Sequence, residues 1–203
     1  MNERTEIRKL IKEHKNELYP IFLKLDEFET LVVGAGNVAL EKLQSLLSNS
    51  PNTPITVVAP VVRQRVKNFL SSYPKCKIVQ RAFRKKDLDY KRIVVCATDN
   101  KELHSQIKLM ASERGILVNV ADTPELCDFY LSSIVQKGNL KIAVSTNGKS
   151  PTLAKRIKQV IGDMIPDEVD DALSHLQAIR SKMKGSFHEK VKRLNDITKE
   201  LVK

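Results

Sequence analysis

Residues that could bind a phosphate follow the first apolar run of the chain. The stretch LVVGAGNVALEKLQSLL, residues 31–47, contains the pattern G-x-G-x-x-A at Gly34, Gly36 and Ala39. The first glycine permits a tight turn, the second lets a pyrophosphate approach backbone N–H groups, and a small third residue lets helix and strand pack closely. The positive end of the helix macrodipole adds attraction. The pattern predicts a dinucleotide-binding turn, with an ordinary strand–helix junction as the alternative.

The acidic residue that usually binds the adenosine ribose is missing. It is expected at the end of the second strand, where the sequence reads VVAP at 57–60. Arg63 and Arg65 follow, but they form no obvious fork for a 2′-phosphate. Ribose contacts would then come from backbone groups or from elsewhere, which weakens a standard NAD-dehydrogenase interpretation.

A carboxylate ends the last predicted strand of the alternating region, in the stretch NVAD at 119–122. Ligands of open α/β sheets bind outside the carboxyl ends of the strands. Asp122 could therefore act as a base there, or it could only cap the following turn, and the pattern leaves both open. Asp99 has the same ambiguity, with the capping role favoured.

The stretch TNGKSP at 146–151 resembles a phosphate loop but lacks its full pattern. A P-loop needs a glycine five residues before Gly148, and position 143 is alanine, so the pattern argues against ATP. The start of the next helix could still hold an anion. The candidate residues for this anion site are Thr146, Gly148, Lys149 and Ser150.

Charge and hydropathy limit the class of partner. The net charge is +11, and residues 63–92 contain eleven Lys or Arg against Asp87 and Asp89. Such an excess favours an anionic ligand or a solubilising surface. Aromatic residues make up 5% of the chain and do not alternate with the charges, so we expect no nucleic-acid partner.

No apolar run approaches the roughly 20 residues of a membrane helix, and the charged N-terminal stretch lacks a signal core. We therefore expect a cytoplasmic protein without membrane partners.

Cysteine and histidine indicate no metal centre. The three cysteines are far apart, and Cys127 is expected to pack rather than react. No two of the four histidines have ligand spacing. We expect these histidines at the surface, and the sequence identifies no particular metal. They are His14, His104, His175 and His188.

The elements that position these residues alternate between apolar strands and amphipathic helices from residue 30 to residue 119. Several strands are continuous apolar runs, typical of a parallel sheet that is covered on both faces. This order predicts an α/β fold with a Rossmann-like parallel sheet. The helix over 100–114 is expected to begin at an Asp99 cap with Glu102 in a capping box, and to end at Gly115.

The pattern changes after residue 123. Two strands are predicted around Gly138-Asn139, followed by a helix from Pro151 to Gly162 with Ser150 as N-cap. Two amphipathic helices separated by Gly185-Ser186 complete the chain. The predicted domains are a helical extension (1–17), a dinucleotide-binding domain (18–122), a small strand-containing region (123–150) and a helical C-terminal domain (151–203).

The order of these motifs resembles the siroheme synthase dehydrogenase family, which comprises precorrin-2 dehydrogenases, some of them also sirohydrochlorin ferrochelatases. The resemblance rests on LVVGAGNVALEK, ITVVAP, VVCATDN and above all the block VNVADTPELCDFYLSSIVQKGNLKIAVSTNGKSPTLAKRIK, and it covers about residues 20–160. It implies an NAD-binding domain, a dimerisation region at 123–150 and thus a homodimer. No methyltransferase module is expected, because the sequence runs only to Lys203.

The resemblance also implies roles for individual residues. Asp122, in the match to the family's NVxD, would be the catalytic residue. NAD⁺ would accept a hydride from the tetrapyrrole precorrin-2, giving sirohydrochlorin, and Fe²⁺ would be the substrate metal of an added chelatase activity. A non-catalytic NAD(H)-sensing module is the alternative function. The implied cofactor contacts are Gly34, Gly36, Asn37, Val38, Pro60, Val61 and Thr98.

Overall fold

Residues 16–199 are described by the structure, a computed structural model. The predicted helical extension at 1–17 lies outside this range, apart from its last two residues. The chain forms two units: residues 16–132 with 145–151, and residues 133–144 with 152–199. The boundaries predicted after residues 122 and 150 stay predictions.

The first unit is built on a parallel sheet whose strand order is β3-β2-β1-β4-β5. All residues of β1 and β4 are buried, because helices and loops cover both faces of these central apolar runs. The chain leaves β1 toward one side of the sheet and later returns to its other side as β4, so the strand order switches between these two strands. The predicted Rossmann-like α/β fold is confirmed. The strands are β1 (Thr30–Val33), β2 (Ile55–Val58), β3 (Cys76–Val79), β4 (Ile93–Cys96) and β5 (Leu117–Val120).

Three helices and three short 3₁₀ turns complete this unit. The first helix buries Ala39, Leu43, Leu46 and Leu47 at helical spacing against the sheet. Ala39 is fully buried, so helix and strand pack closely at that position, as the glycine motif predicts. The helices are α1 (Asn37–Asn49), α2 (Gln64–Leu70) and α3 (Lys101–Ser112), and the 3₁₀ turns are Leu25–Glu27, Lys85–Leu88 and Pro124–Leu126.

Two details of α3 differ from the prediction. Its N-cap is Asn100, whose side-chain oxygen accepts a hydrogen bond from the backbone N–H of Leu103 at 2.9 Å, so the predicted Asp99 cap is wrong. The two residues are both good caps, and the turn after β4 decides between them because the N–H of Asn100 donates to Thr98 Oγ1. His104 is 3% exposed, so the predicted surface position of this histidine is also wrong.

The second unit contains the predicted hairpin and three helices. The strands β6 (Ser133–Lys137) and β7 (Leu140–Val144) pair antiparallel around a turn at Gly138, whose φ is +54°. Asp170 closes this turn by accepting hydrogen bonds from the N–H and the Nδ2 of Asn139 at 2.7 and 3.0 Å. The helices are α4 (Pro151–Met164), α5 (Val169–Lys182) and α6 (Phe187–Thr198).

Helix α4 does not end at Gly162, contrary to the prediction. A glycine ends a helix when it adopts the left-handed conformation, and Gly162 is not among the residues with positive φ. A Cβ there would lie 3.9 Å from Val135, an ordinary contact. The predicted division at Gly185-Ser186 is confirmed, since Ser186 caps α6 in a capping box with Glu189.

Candidate dinucleotide site

The glycine turn between β1 and α1 is shaped by the neighbouring end of β4. Gly34 has φ +113°, and a Cβ there would lie 2.2 Å from the carbonyl oxygen of Ala97. The backbones of the two turns can approach this closely only without a side chain. Gly34 N–H donates to Val58 O and Ala97 N–H donates to Val33 O, at 2.9 and 2.8 Å. These bonds hold the turns after β1, β2 and β4 in register.

Gly36 leaves open space at the start of α1. A Cβ at this position would meet no atom within 4 Å. Gly36 is the N-cap and offers no side-chain acceptor, so the first backbone N–H groups of α1 lack both an intrahelical partner and a side-chain cap. An open cradle with N–H donors at a helix start suits an anionic pyrophosphate. The residues present therefore fit a dinucleotide.

The predicted cofactor contacts and Asp122 all follow the carboxyl ends of strands in the parallel sheet. Pro60 and Val61 come after β2, the glycine turn after β1, Thr98 after β4 and Asp122 after β5, in the spatial order β2-β1-β4-β5. Because neighbouring strands lie about 4.8 Å apart, β5 is roughly 10 Å from β1. The switch in strand order between β1 and β4 is the usual place for a dinucleotide in such sheets.

Arg63 joins the loop after β2 to the glycine turn. Its N–H donates to Ala35 O at 3.2 Å, and its Nη1 donates to the Asn37 Oδ1 at 3.0 Å. Asn37 and Arg63 are 26 residues apart, so no local pattern in the sequence could have paired them. The contact brings a guanidinium to the first residue of α1.

Behind Thr98 lies the buried His104. Thr98 Oγ1 is 2.8 Å from His104 Nε2, and the N–H of Asn100 donates to the same oxygen at 3.2 Å. Burial lowers the pKa of His104, while the nearby Asp99 acts in the opposite direction. The neutral imidazole therefore fixes the Thr98 hydroxyl. The spacing of His104, Ile107 and Ala111 along α3 was the signal that could have predicted this burial.

Asp122 projects from an unusual backbone conformation. Its φ is +57°, in the left-handed region that Asp tolerates better than most residues. The residue is exposed, and none of the hydrogen bonds or ion pairs found within residues 16–199 involves its carboxylate. The preceding Ala121 N–H donates to Cys96 O at 2.9 Å, which anchors the turn to β4. The carboxylate therefore faces solvent from a fixed turn at the strand edge.

The segment after this turn covers the outer side of β5, the last strand of the sheet, by binding its backbone groups. Val120 N–H donates to the Cys127 thiol sulfur at 3.2 Å, and Val118 N–H donates to a carboxylate oxygen of Asp128 at 2.9 Å. Asp128 also pairs with Lys108 of α3. Burial raises the pKa of the Cys127 thiol. These contacts agree with the predicted packing role of this cysteine.

The predicted anion site forms a separate turn after β7. Thr146 Oγ1 donates to Ser150 O and accepts from Ser150 N–H at 3.1 and 3.2 Å, so its hydroxyl is used within the turn. Gly148 has φ +73° and lies near the Tyr130 ring, and Lys149 is exposed. Substrate binding by these residues stays a prediction.

No group of three or more His, Cys, Asp or Glu side chains within residues 16–199 is arranged to hold a metal ion. In the same range, no helix is long and apolar enough to cross a membrane.

Two family models match successive parts of the chain. A model described as putative NAD(P)-binding matches residues 21–133, more than half of the chain, and one described as sirohaem biosynthesis protein central matches residues 137–164. The chain belongs to the NAD(P)-binding siroheme synthase family. The resemblance predicted from the sequence motifs is thereby confirmed, and family membership agrees with the cradle at the glycine turn.

Relatives in this family are longer than the chain. The siroheme synthase of Psychrobacter arcticus is 38% identical over 148 residues, which are 73% of this chain and 26% of the relative. The siroheme synthase of Pseudoalteromonas translucida is 36% identical over 168 residues, 83% of this chain and 35% of the relative. This family member thus spans about a quarter to a third of those relatives. A solved structure of SirC, precorrin-2 dehydrogenase, matches with a TM-score of 0.70 and 25% identity over 89% of both chains.

Proposed function

We propose that this protein is a precorrin-2 dehydrogenase that uses NAD⁺. The observation that carries the proposal is the exposed, unpartnered carboxylate of Asp122 at the same strand edge as the glycine turn. The likeness to SirC, precorrin-2 dehydrogenase, over 89% of both chains supports it, because the two proteins share a similar fold over that length. The net charge of +11 suits a substrate that carries several carboxylates.

The reaction removes two hydrogens from the tetrapyrrole. When bound, the nicotinamide supplies the hydride acceptor. The residues on the β2 side of the glycine turn would hold the adenosine half of the cofactor, and those after β4 and β5 would hold the nicotinamide half. The Asp122 carboxylate takes the proton that leaves the macrocycle with the hydride, so that precorrin-2 and NAD⁺ give sirohydrochlorin, NADH and a proton. Thr98, whose hydroxyl His104 fixes, would hold the nicotinamide half of the cofactor.

The decisive experiment replaces Asp122 by Asn, which keeps the left-handed backbone accessible and removes the base. We expect kcat/KM for sirohydrochlorin formation to fall about 10²- to 10⁴-fold, the usual contribution of a general base. NADH affinity and melting temperature are expected to stay unchanged. Glu125→Gln is the matched control, since Glu125 is an exposed acid on the next turn. Full activity of Asp122→Asn would remove this residue from the mechanism, and NADH binding without tetrapyrrole turnover in the wild type would favour the NAD(H)-sensing alternative.

We also propose ferrochelatase activity with Fe²⁺ as the substrate metal. Insertion of the metal requires the inner pyrrole N–H groups to lose protons, and the same exposed carboxylate can accept them. Addition of Fe²⁺ or Co²⁺ to sirohydrochlorin and the wild-type protein tests this. Faster metallation than in the protein-free control is expected, and equal rates would contradict the proposal.

A homodimer is the proposed assembly. Helix α4 exposes an apolar stripe whose members include Ile157, Val160 and Met164, the last two 58% and 76% exposed. Such a stripe is typical of a covered interface, and the family resemblance implies a dimerisation region just before it. Light scattering is expected to give twice the chain mass, and Val160→Lys to give a monomer. Gln159→Lys, an equal charge change at a neighbouring exposed position, should leave the dimer intact. Monomeric wild-type protein would refute this assembly.

The proposed location is the cytoplasm, which the three free cysteines support because the cytosol keeps thiols reduced. Cell fractionation with antibody detection would test it, and recovery from an oxidising compartment would contradict it.

A further inference from the structure

We infer that Arg63 gives this site affinity for a 2′-phosphorylated cofactor, so that NADP⁺ binds beside NAD⁺. The inference rests on the proposed cofactor site and concerns its adenosine end. In folds of this type a carboxylate at the end of the second strand binds the ribose 2′-hydroxyl, and a nearby arginine accommodates a 2′-phosphate. The question is which of these groups the chain presents there.

The loop after β2 and the chain segments that flank it contribute no carboxylate to this side of the site. The loop after β2 begins with Ala59, Pro60 and Val61, and residues 42–86 contain no Asp or Glu at all. A buried or adjacent carboxylate would repel a phosphate dianion. The lack of an acidic residue at the end of β2 removes the feature that makes such sites reject NADP⁺.

Arg63 supplies the positive group. Its Nη1 bond of 3.0 Å to Asn37 Oδ1 holds the guanidinium beside the first residue of α1, the helix whose start forms the pyrophosphate cradle. Its backbone N–H, bonded to Ala35 O, fixes the loop from the other side. The adenosine ribose is expected between the cradle and the end of β2, which is the region that Arg63 spans.

The guanidinium also has capacity for a ligand. It carries five N–H donors, and the bond to Asn37 uses one of them. Arg63 takes part in none of the ion pairs found within residues 16–199, and its side chain is exposed. Arginine donors match phosphate oxygens in bidentate geometry. Arg63 is thus a specificity-determining residue for the cofactor.

Fluorescence titrations with NADH and NADPH test the inference without turnover. We expect the wild type to bind the two within about tenfold of each other. Arg63→Gln should weaken NADPH about tenfold or more, the loss expected for a charge-assisted hydrogen bond, while NADH changes by less than about threefold. Adenosine 2′,5′-bisphosphate should displace NADH from the wild type and fail to do so from Arg63→Gln. Arg65→Gln is the matched control, because Arg65 is an exposed arginine two residues away.

Each other outcome overturns the inference. NADPH binding more than about 100-fold weaker than NADH would show that the site rejects the 2′-phosphate, and the dehydrogenase proposal would stand. Equal loss of NADPH in Arg63→Gln and Arg65→Gln would show a general effect of charge rather than a contact. Failure of the wild type to bind either nucleotide would refute both the inference and the proposed cofactor site.

Discussion

The two glycines of the turn after β1 are predicted to fail in different ways when each is replaced by alanine. A Cβ at position 34 would lie 2.2 and 2.7 Å from the carbonyl oxygen and carbon of Ala97, and φ at this residue is +113°. The contacted atoms are backbone, so relief requires the ends of β1 and β4 to separate. At position 36 the φ is −89° and a Cβ would meet nothing within 4 Å.

The magnitudes follow from these geometries. Gly34→Ala combines backbone strain of about 1–3 kcal/mol with overpacking of about 1–3 kcal/mol, a loss of roughly 2–6 kcal/mol in the free energy of unfolding. For a chain of this size the melting temperature should fall by roughly 5–20 °C. Gly36→Ala should cost less than about 1 kcal/mol, the difference between glycine and alanine as N-caps. Its Cβ would instead fill the open space that the pyrophosphate of the proposed cofactor would occupy.

Differential scanning calorimetry and NADH titration separate the two effects. We expect Gly34→Ala to lose stability, and Gly36→Ala to keep its melting temperature within about 3 °C while NADH affinity falls at least about tenfold. An unchanged melting temperature for Gly34→Ala would refute the close approach of β1 and β4. Undiminished NADH affinity for Gly36→Ala would refute the cradle.

Three further predictions concern titratable groups. Burial lowers the pKa of His104, so the unfolded chain binds a proton more readily than the folded protein, and stability should be full above about pH 6.5 and fall as the pH drops below that value. In melting temperatures measured from pH 5 to 8, His104→Gln should lose this dependence on pH. An equal dependence in the variant and the wild type would contradict the buried neutral imidazole. The Arg81 guanidinium holds the pKa of Asp87 below its usual range, through hydrogen bonds of 2.6 and 2.7 Å. The stability that this pair contributes should be present above about pH 4 and be lost as the pH falls through the lowered pKa of the folded protein. Asp87→Asn should therefore reduce the free energy of unfolding by about 1–3 kcal/mol at pH 7, and by progressively less when denaturation is measured at lower pH. Burial raises the pKa of Cys96 to about 12 and also raises that of Cys127. Iodoacetamide at pH 7.5 should therefore alkylate these thiols far more slowly in the native protein than in guanidinium, as followed by mass spectrometry. Fast alkylation of the native protein would show that the two cysteines are accessible thiolates.

The sheet could be predicted from sequence because its strands are continuous apolar runs between amphipathic helices. The roles of Gly34 in a tight turn and of Gly36 in an open approach to the backbone could be predicted because both depend on residues that are neighbours in the sequence. The same locality explains the hairpin at Gly138. Each of these features is encoded within a few residues of the element it forms.

The missed features depend on contacts between distant segments or on neighbours of similar type. Arg63 meets Asn37 only because β2 lies beside β1. Asp99 and Asn100 are equivalent caps by composition, and the hydroxyl of Thr98 selects Asn100. His104 is an exception, because its helical spacing with Ile107 and Ala111 was available in the sequence and was outweighed by the charged residues around it.

The closed margin of β5 limits how this protein can meet another chain. The thiol of Cys127 and the carboxylate of Asp128 already satisfy backbone groups that an incoming strand would need, and the Asn119 amide donates to Phe129 O at 2.8 Å. An intruding strand would first have to displace these groups, so extension of the sheet there is blocked. At the opposite margin, β3 exposes the charged Lys77, a residue type that discourages edge-to-edge aggregation.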